Sequence, residues 1–89
     1  MIRETVRINN KLGLHARASA KLTKLAAGFR SEVHMSRNGR RVNAKSIMGV
    51  MMLAAGIGTE VDIETEGEDA AEAMKALVAL IQDKFGEGQ

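Results

Sequence analysis

Glu60-Val61-Asp62-Ile63-Glu64-Thr65-Glu66 alternates acidic residues with apolar or β-branched ones over its whole length. Successive side chains of a strand point to opposite faces. Val61, Ile63 and Thr65 therefore share one face, and the four acids share the other. A strand with one buried and one wet face belongs to an antiparallel sheet more readily than to a parallel one. Two other segments repeat the pattern. Thr5-Val6-Arg7-Ile8 alternates, and residues 32–36 set Val33 and Met35 against His34. Asn38-Gly39 then supplies two residues that tolerate the positive φ of a tight hairpin, so Arg41-Val42-Asn43-Ala44 reads as the return strand.

Between these strands the period changes to that of a helix. Over residues 15–29, Ala18, Leu22, Leu25, Ala26 and Phe29 recur at three- and four-residue spacing and form one stripe, with Gly28 as a stop signal. Arg17, Lys21 and Lys24 fall on another face. Ser46 is a good N-cap for a short helix over 47–53, which Gly56-Ile57-Gly58 ends. Asp69 with Glu72 resembles a capping box. It opens a long helix to about Phe85, whose core stripe is Met74, Leu77, Ile81 and Phe85 flanked by Val78 and Leu80, with Gly86 as the stop. The order strand–helix–strand–strand–helix–strand–helix predicts an α+β domain: a mainly antiparallel sheet with its helices on one side.

Eighty-nine residues make one small domain, 1–89, with a single modest core and no room for a large enclosed cleft. The chain has no cysteine, which excludes disulfides, thiolate zinc sites and thiol chemistry. Its two histidines, His15 and His34, are far apart in sequence, so neither a metal site nor a cofactor is expected, and His34 reads as structural or solvent-exposed. No apolar run approaches the ~20 residues of a membrane span, and no signal-peptide pattern opens the chain. A cytoplasmic protein without membrane insertion is the expectation. The net charge of +2 conceals an asymmetry. Residues 1–45 carry eleven Lys/Arg against Glu4 and Glu32, a balance of +9, while residues 46–89 come to −7. One part of the surface is expected to be basic and another acidic. Nucleic acid is an unsuitable partner, because Phe29 and Phe85 are the only aromatic residues and both sit on core stripes.

The chemistry concentrates in Gly13-Leu14-His15-Ala16-Arg17-Ala18. A histidine after a glycine turn, at the start of a helix, lies beside free N–H groups that favour an anion, above all a phosphate. The helix dipole disfavours the cationic imidazole, and the neutral ring offers a lone pair as nucleophile. Once the ring is phosphorylated, the N–H groups of Ala16 and Arg17 and the Arg17 fork can receive the phosphate oxygens. No second base, metal or carboxylate pair points to independent turnover. Ser46 has two readings, as a cap and as a phosphorylation site where about −2 of charge would alter binding to a partner. Ile47, Met48, Met51 and Met52 follow it, too many for one short helix to bury. Those left exposed form an adaptable apolar contact patch, rimmed by Arg17, Lys21 and Lys24.

Two motifs give these residues a family. Gly13-Leu14-His15-Ala16-Arg17 resembles the active-site turn of the histidine-containing phosphocarriers, HPr, of the bacterial phosphotransferase system. Asn43-Ala44-Lys45-Ser46-Ile47-Met48-Gly49-Val50-Met51 resembles the regulatory serine segment of the same family, in its kinase-regulated branch. The resemblance implies an open-faced β-sandwich, four antiparallel strands with three helices on one face. It implies that His15 accepts phosphate on Nδ1 from phosphorylated enzyme I and passes it to a sugar-specific or regulatory A-domain, with Arg17 steadying the phosphoryl group. It implies that Ser46 is the target of an ATP-dependent HPr kinase/phosphorylase. A monomer suits a carrier that docks on two partners in turn. One departure is Ala18, where the family commonly has proline. Losing that pre-set first turn costs on the order of 0.4–1 kcal/mol through the unfolded state. The alternative from another class is a non-catalytic regulatory binding module acting through Ser46 and the Met48/Met51 patch.

Overall fold

The computed structural model describes residues 1–87. Its elements run β1 (Ile2–Arg7), α1 (Ala16–Ala27), β2 (Glu32–Arg37), β3 (Arg40–Asn43), α2 (Ile47–Met51), β4 (Glu60–Glu66) and α3 (Ala70–Gln82), followed by a turn over Lys84–Gly86. The four strands form one antiparallel sheet in the order β1-β4-β2-β3. The strand with the cleanest alternation, β4, is central and pairs on both sides: Ile63 lies opposite Glu4 on β1 and Met35 on β2. Asn38 and Gly39 turn the β2–β3 hairpin at φ +52° and +80°, as their chemistry predicts.

The inner face of the sheet is Val33, Met35, Val61, Ile63 and Thr65, all buried. Helices α1 and α3 cover it with Ala18, Leu22, Ala26, Met74, Leu77 and Ile81, and Ile8 and Phe85 close the end. Burying each large aliphatic side chain contributes about 1.5–3 kcal/mol, which makes this layer the main stabilising term. Thr65 enters the core at no polar cost, because its hydroxyl donates to the Ala70 carbonyl at 2.9 Å.

Several boundaries differ from the sequence reading, each for a local reason. Helix α1 begins at Ala16, with His15 as its cap, and ends at Ala27. Phe29 is outside it and only partly buried. Ser19 joins the buried stripe because its hydroxyl finds the Leu14 carbonyl at 3.1 Å. Helix α2 is shorter than expected: it stops at Met51, and Ala54 turns the chain at φ +51° before the glycines are reached. Helix α3 ends at Gln82. Asp69 occupies the N-cap position of α3 but makes no cap bond. Its carboxylate instead accepts the N–H groups of Arg30 and Ser31 and the Ser31 hydroxyl, fastening α3 to the entry of β2. Gly67 permits this approach, since a Cβ there would lie 2.9 Å from Ser31 Cα.

Candidate functional site

The turn that presents His15 is built around Gly13. Its φ is +66°, and a Cβ would come within 2.4 Å of the Ala55 carbonyl oxygen and 2.7 Å of Gly56 Cα, so only glycine fits. The same Ala55 carbonyl accepts the Leu14 N–H at 2.9 Å, and Leu14 is buried beside it. This anchors the chain one residue before the histidine. His15 then has extended backbone, φ −74° and ψ 178°, and its carbonyl accepts the first helical bond from Ser19 N–H at 2.8 Å.

Its imidazole does the work of a capping side chain: Nδ1 accepts the Arg17 N–H at 3.3 Å. That distance is long for such a bond, so the lone pair is only lightly held. On the other side of the ring, Nε2 lies 2.6 Å from Glu87 Oε2. An Nδ1 that accepts a hydrogen bond leaves the ring proton on Nε2, which donates to the carboxylate. The network therefore assigns the tautomer. Leu12, His15, Ala16, Arg17, Lys21, Gly86 and Glu87 line one open depression. Its floor combines the N–H groups of a helix start with cations from α1, the surroundings a phosphoryl group needs. Arg17 is exposed at the rim.

Ser46 heads α2, exposed, with its hydroxyl accepting the Gly49 N–H at 3.2 Å. Gly49 keeps α2 tight on β3: a Cβ there would meet the Asn43 carbonyl oxygen at 3.2 Å and Val42 Cβ at 3.3 Å. Of the residues in this helix only Val50 is buried. Ile47, Met48 and Met51 are exposed, Met48 to 70%, and so are Leu12, Met52 and Ile57.

The family model for the HPr component phosphorylation site of the phosphotransferase system matches residues 2–83. The chain belongs to the HPr family. It is 67% identical to the phosphocarrier protein HPr of Cupriavidus necator and 57% identical to that of Neisseria meningitidis, over all of both chains in each case. Among solved structures it is similar to an HPr from Thermoanaerobacter tengcongensis, at TM-score 0.95 and 47% identity over 98% of each chain. It also resembles an HPr dimer from that organism, at TM-score 0.79 over 98% of this chain and 100% of the other. The fold is the HPr open-faced sandwich, and the function is that of a phosphocarrier of the phosphotransferase system.

Within this HPr, the residues singled out from sequence divide into three places. His15, Ala16, Arg17 and Lys21 share the depression. Lys24 lines a separate apolar groove with Leu25, Phe29 and Leu80, between α1 and α3. Ser46, Ile47, Met48 and Met51 belong to α2, which packs against α1. Lys21 is more than a rim charge, because its Nζ donates to the Phe85 carbonyl at 2.7 Å. Sequence reasoning missed Glu87 and Asn10. The fully buried Asn10 amide donates to the Gly13 carbonyl at 2.8 Å and to Glu87 Oε1 at 3.1 Å. Nothing in the spacing announces a contact between residues 15 and 87, since only the closed fold brings them together. His34 faces the polar side of β2 and is half-buried, apart from this site.

Proposed function

We propose that His15 is the phosphoryl acceptor of this carrier and that Nδ1 is the atom that forms the N–P bond. The observation that carries the reading is the cap geometry: the nucleophilic lone pair is aimed at the first-turn N–H of α1. The donor is phosphorylated enzyme I, charged from phosphoenolpyruvate, and the acceptor is an A-domain. The Nδ1 lone pair attacks phosphorus as the donor's own bond to phosphorus breaks. The Arg17 N–H then turns from nitrogen to a phosphate oxygen, joined by the Ala16 N–H and the Arg17 guanidinium. Onward transfer is the same step in reverse on a different partner.

Docking uses the apolar surface of Ile47, Met48 and Met51, with Lys21 and Lys24 meeting acidic groups of a partner. Ser46 lies within that surface as an exposed cap. A kinase/phosphorylase acting there would leave the fold intact and place a dianion where partners dock. The carrier acts as a monomer in the cytoplasm, with no cofactor, metal, nucleic acid or membrane insertion.

Incubation with enzyme I, magnesium and phosphoenolpyruvate tests the central step. An acid-labile phosphate mapped to His15 by mass spectrometry, and absent from His15→Ala, is the expected result. A phosphate that persists in the variant would overturn it.

A further inference from the structure

The chain's last described turn is folded against its own backbone preference. Lys84 and Phe85 both have φ +56° and Gly86 has φ +74°. Residues with a Cβ avoid this left-handed region unless their surroundings over-determine it. Here they do. Phe85 is fully buried in the core, and the Lys21 ammonium holds its carbonyl at 2.7 Å. The turn reverses the chain after α3 and returns Glu87 to the histidine.

Both oxygens of Glu87 are used. Oε2 is 2.6 Å from His15 Nε2, and Oε1 accepts the Asn10 amide at 3.1 Å. Asn10 spends its second amide hydrogen on the Gly13 carbonyl, inside the turn that presents His15. Both acceptors lack hydrogens, so the orientation of the amide is fixed. One carboxylate thus ties the imidazole to the turn beneath it. Burial pushes the Glu87 carboxyl up, but the bonds from Asn10 and His15, the attraction of the His15 ring when it is cationic and the charge of Lys21 outweigh it and hold it below its ordinary range. It is an ionised acceptor at neutral pH.

We propose that Glu87 is a positioning residue for phosphoryl transfer: by accepting Nε2–H it holds the imidazole in the tautomer whose Nδ1 lone pair faces the helix start, and it supplies the counter-charge when the ring becomes cationic. The proposal rests on His15 being the phosphoryl acceptor. When the Nδ1–P bond forms, the donor's bond to phosphorus breaks and that electron pair returns to the donor atom. The Nε2 proton stays in place, so the product ring bears phosphoryl on one nitrogen and hydrogen on the other, with a formal positive charge. When phosphoryl leaves, the pair returns to Nδ1 and the neutral ring is regenerated. A ring that keeps its Nε2 proton is the better leaving group, and the carboxylate keeps the proton there. Among the described residues, the other charges lining the depression are the cations Arg17 and Lys21 on α1, and Glu87 is its one anion.

Nitrogen-15 spectra of the unphosphorylated full chain, read beside Glu87→Gln and Glu87→Ala, separate orientation from charge. The wild type is expected to show a single Nε2–H tautomer. Glu87→Ala is expected to show mixed tautomers and slower phosphorylation by enzyme I. Glu87→Gln keeps an oxygen acceptor, so it restores the tautomer without the negative charge. In transfer assays it regains phosphorylation by enzyme I but hands the phosphoryl group on more slowly than wild type. Thermal melts of all three establish that they are folded. An unchanged tautomer and unchanged transfer rates in both folded variants would overturn the role of Glu87. Absence of phosphate on wild-type His15 would instead overturn the reading on which it rests.

Discussion

A histidine is an uncommon helix cap, and in the proposed function capping and chemistry use the same atom. Nδ1 satisfies the Arg17 N–H in the resting chain over a long 3.3 Å bond. A phosphoryl oxygen, being charged, makes a better acceptor, so the resting contact is weak where the product contact is strong. In the proposed function that difference favours the phosphorylated state. Arg17 tests it. Its side chain is exposed, so Arg17→Ala is expected to change stability by no more than about 0.5 kcal/mol. The loss of one or two charge-assisted bonds to the phosphoryl group is expected to slow transfer by roughly ten- to a hundredfold. Stopped-flow transfer from phosphorylated enzyme I reads the rate, and a thermal melt reads the stability. An equal fall in both would assign Arg17 to the fold.

At the scale of elements, the start of α3 shows why local signals mislead. Asp69 followed by Glu72 has the chemistry of a capping box, yet the carboxylate serves the α1–β2 connection. Two backbone N–H groups and a hydroxyl from residues 30 and 31 outbid the local cap, and only the packed fold brings them near. The Ser31 hydroxyl and the backbone N–H groups of Arg30 and Ser31 hold the Asp69 carboxyl down to about 2 against an ordinary 3.8. A lowered folded-state value means the stabilisation is complete above the unfolded value and is lost as pH falls through about 2. Asp69→Asn is therefore expected to melt below the wild type at pH 7, with the gap closing as both are taken below pH 3.8 towards 2. A gap that stays constant with pH would contradict the role given to its charge. By contrast, β4, the Asn38-Gly39 hairpin and the serine cap of α2 were legible from sequence, because each is decided by neighbours within a few residues.

Across the whole molecule, the charge asymmetry of the sequence does not become two opposed surfaces. The acids of β4 pair with arginines of other strands: on the adjacent β1, Arg3 pairs with Asp62 at 2.7 Å and Arg7 with Glu60 at 3.5 Å, and Arg41 of β3 reaches across β2 to Glu64 at 2.9 Å. The open face of the sheet is thereby largely neutralised, and the basic character that remains useful lies on α1 beside His15. The fold class and the glycine turn that makes His15 a helix cap were readable because alternation and a glycine–histidine–arginine spacing are local. Glu87 and Asn10 were not, because their meeting depends on how a left-handed turn at residues 84–86 reverses the chain over residue 15. The proposed phosphoryl transfer turns on one atom, His15 Nδ1. Phosphorus-31 and nitrogen-15 spectra of the phosphorylated chain locate that atom. Phosphorus bonded to His15 Nδ1, with the Ala16 and Arg17 amide signals moved downfield by new hydrogen bonds, is the predicted result. Phosphorus on Nε2, the nitrogen that faces Glu87 here, would contradict it.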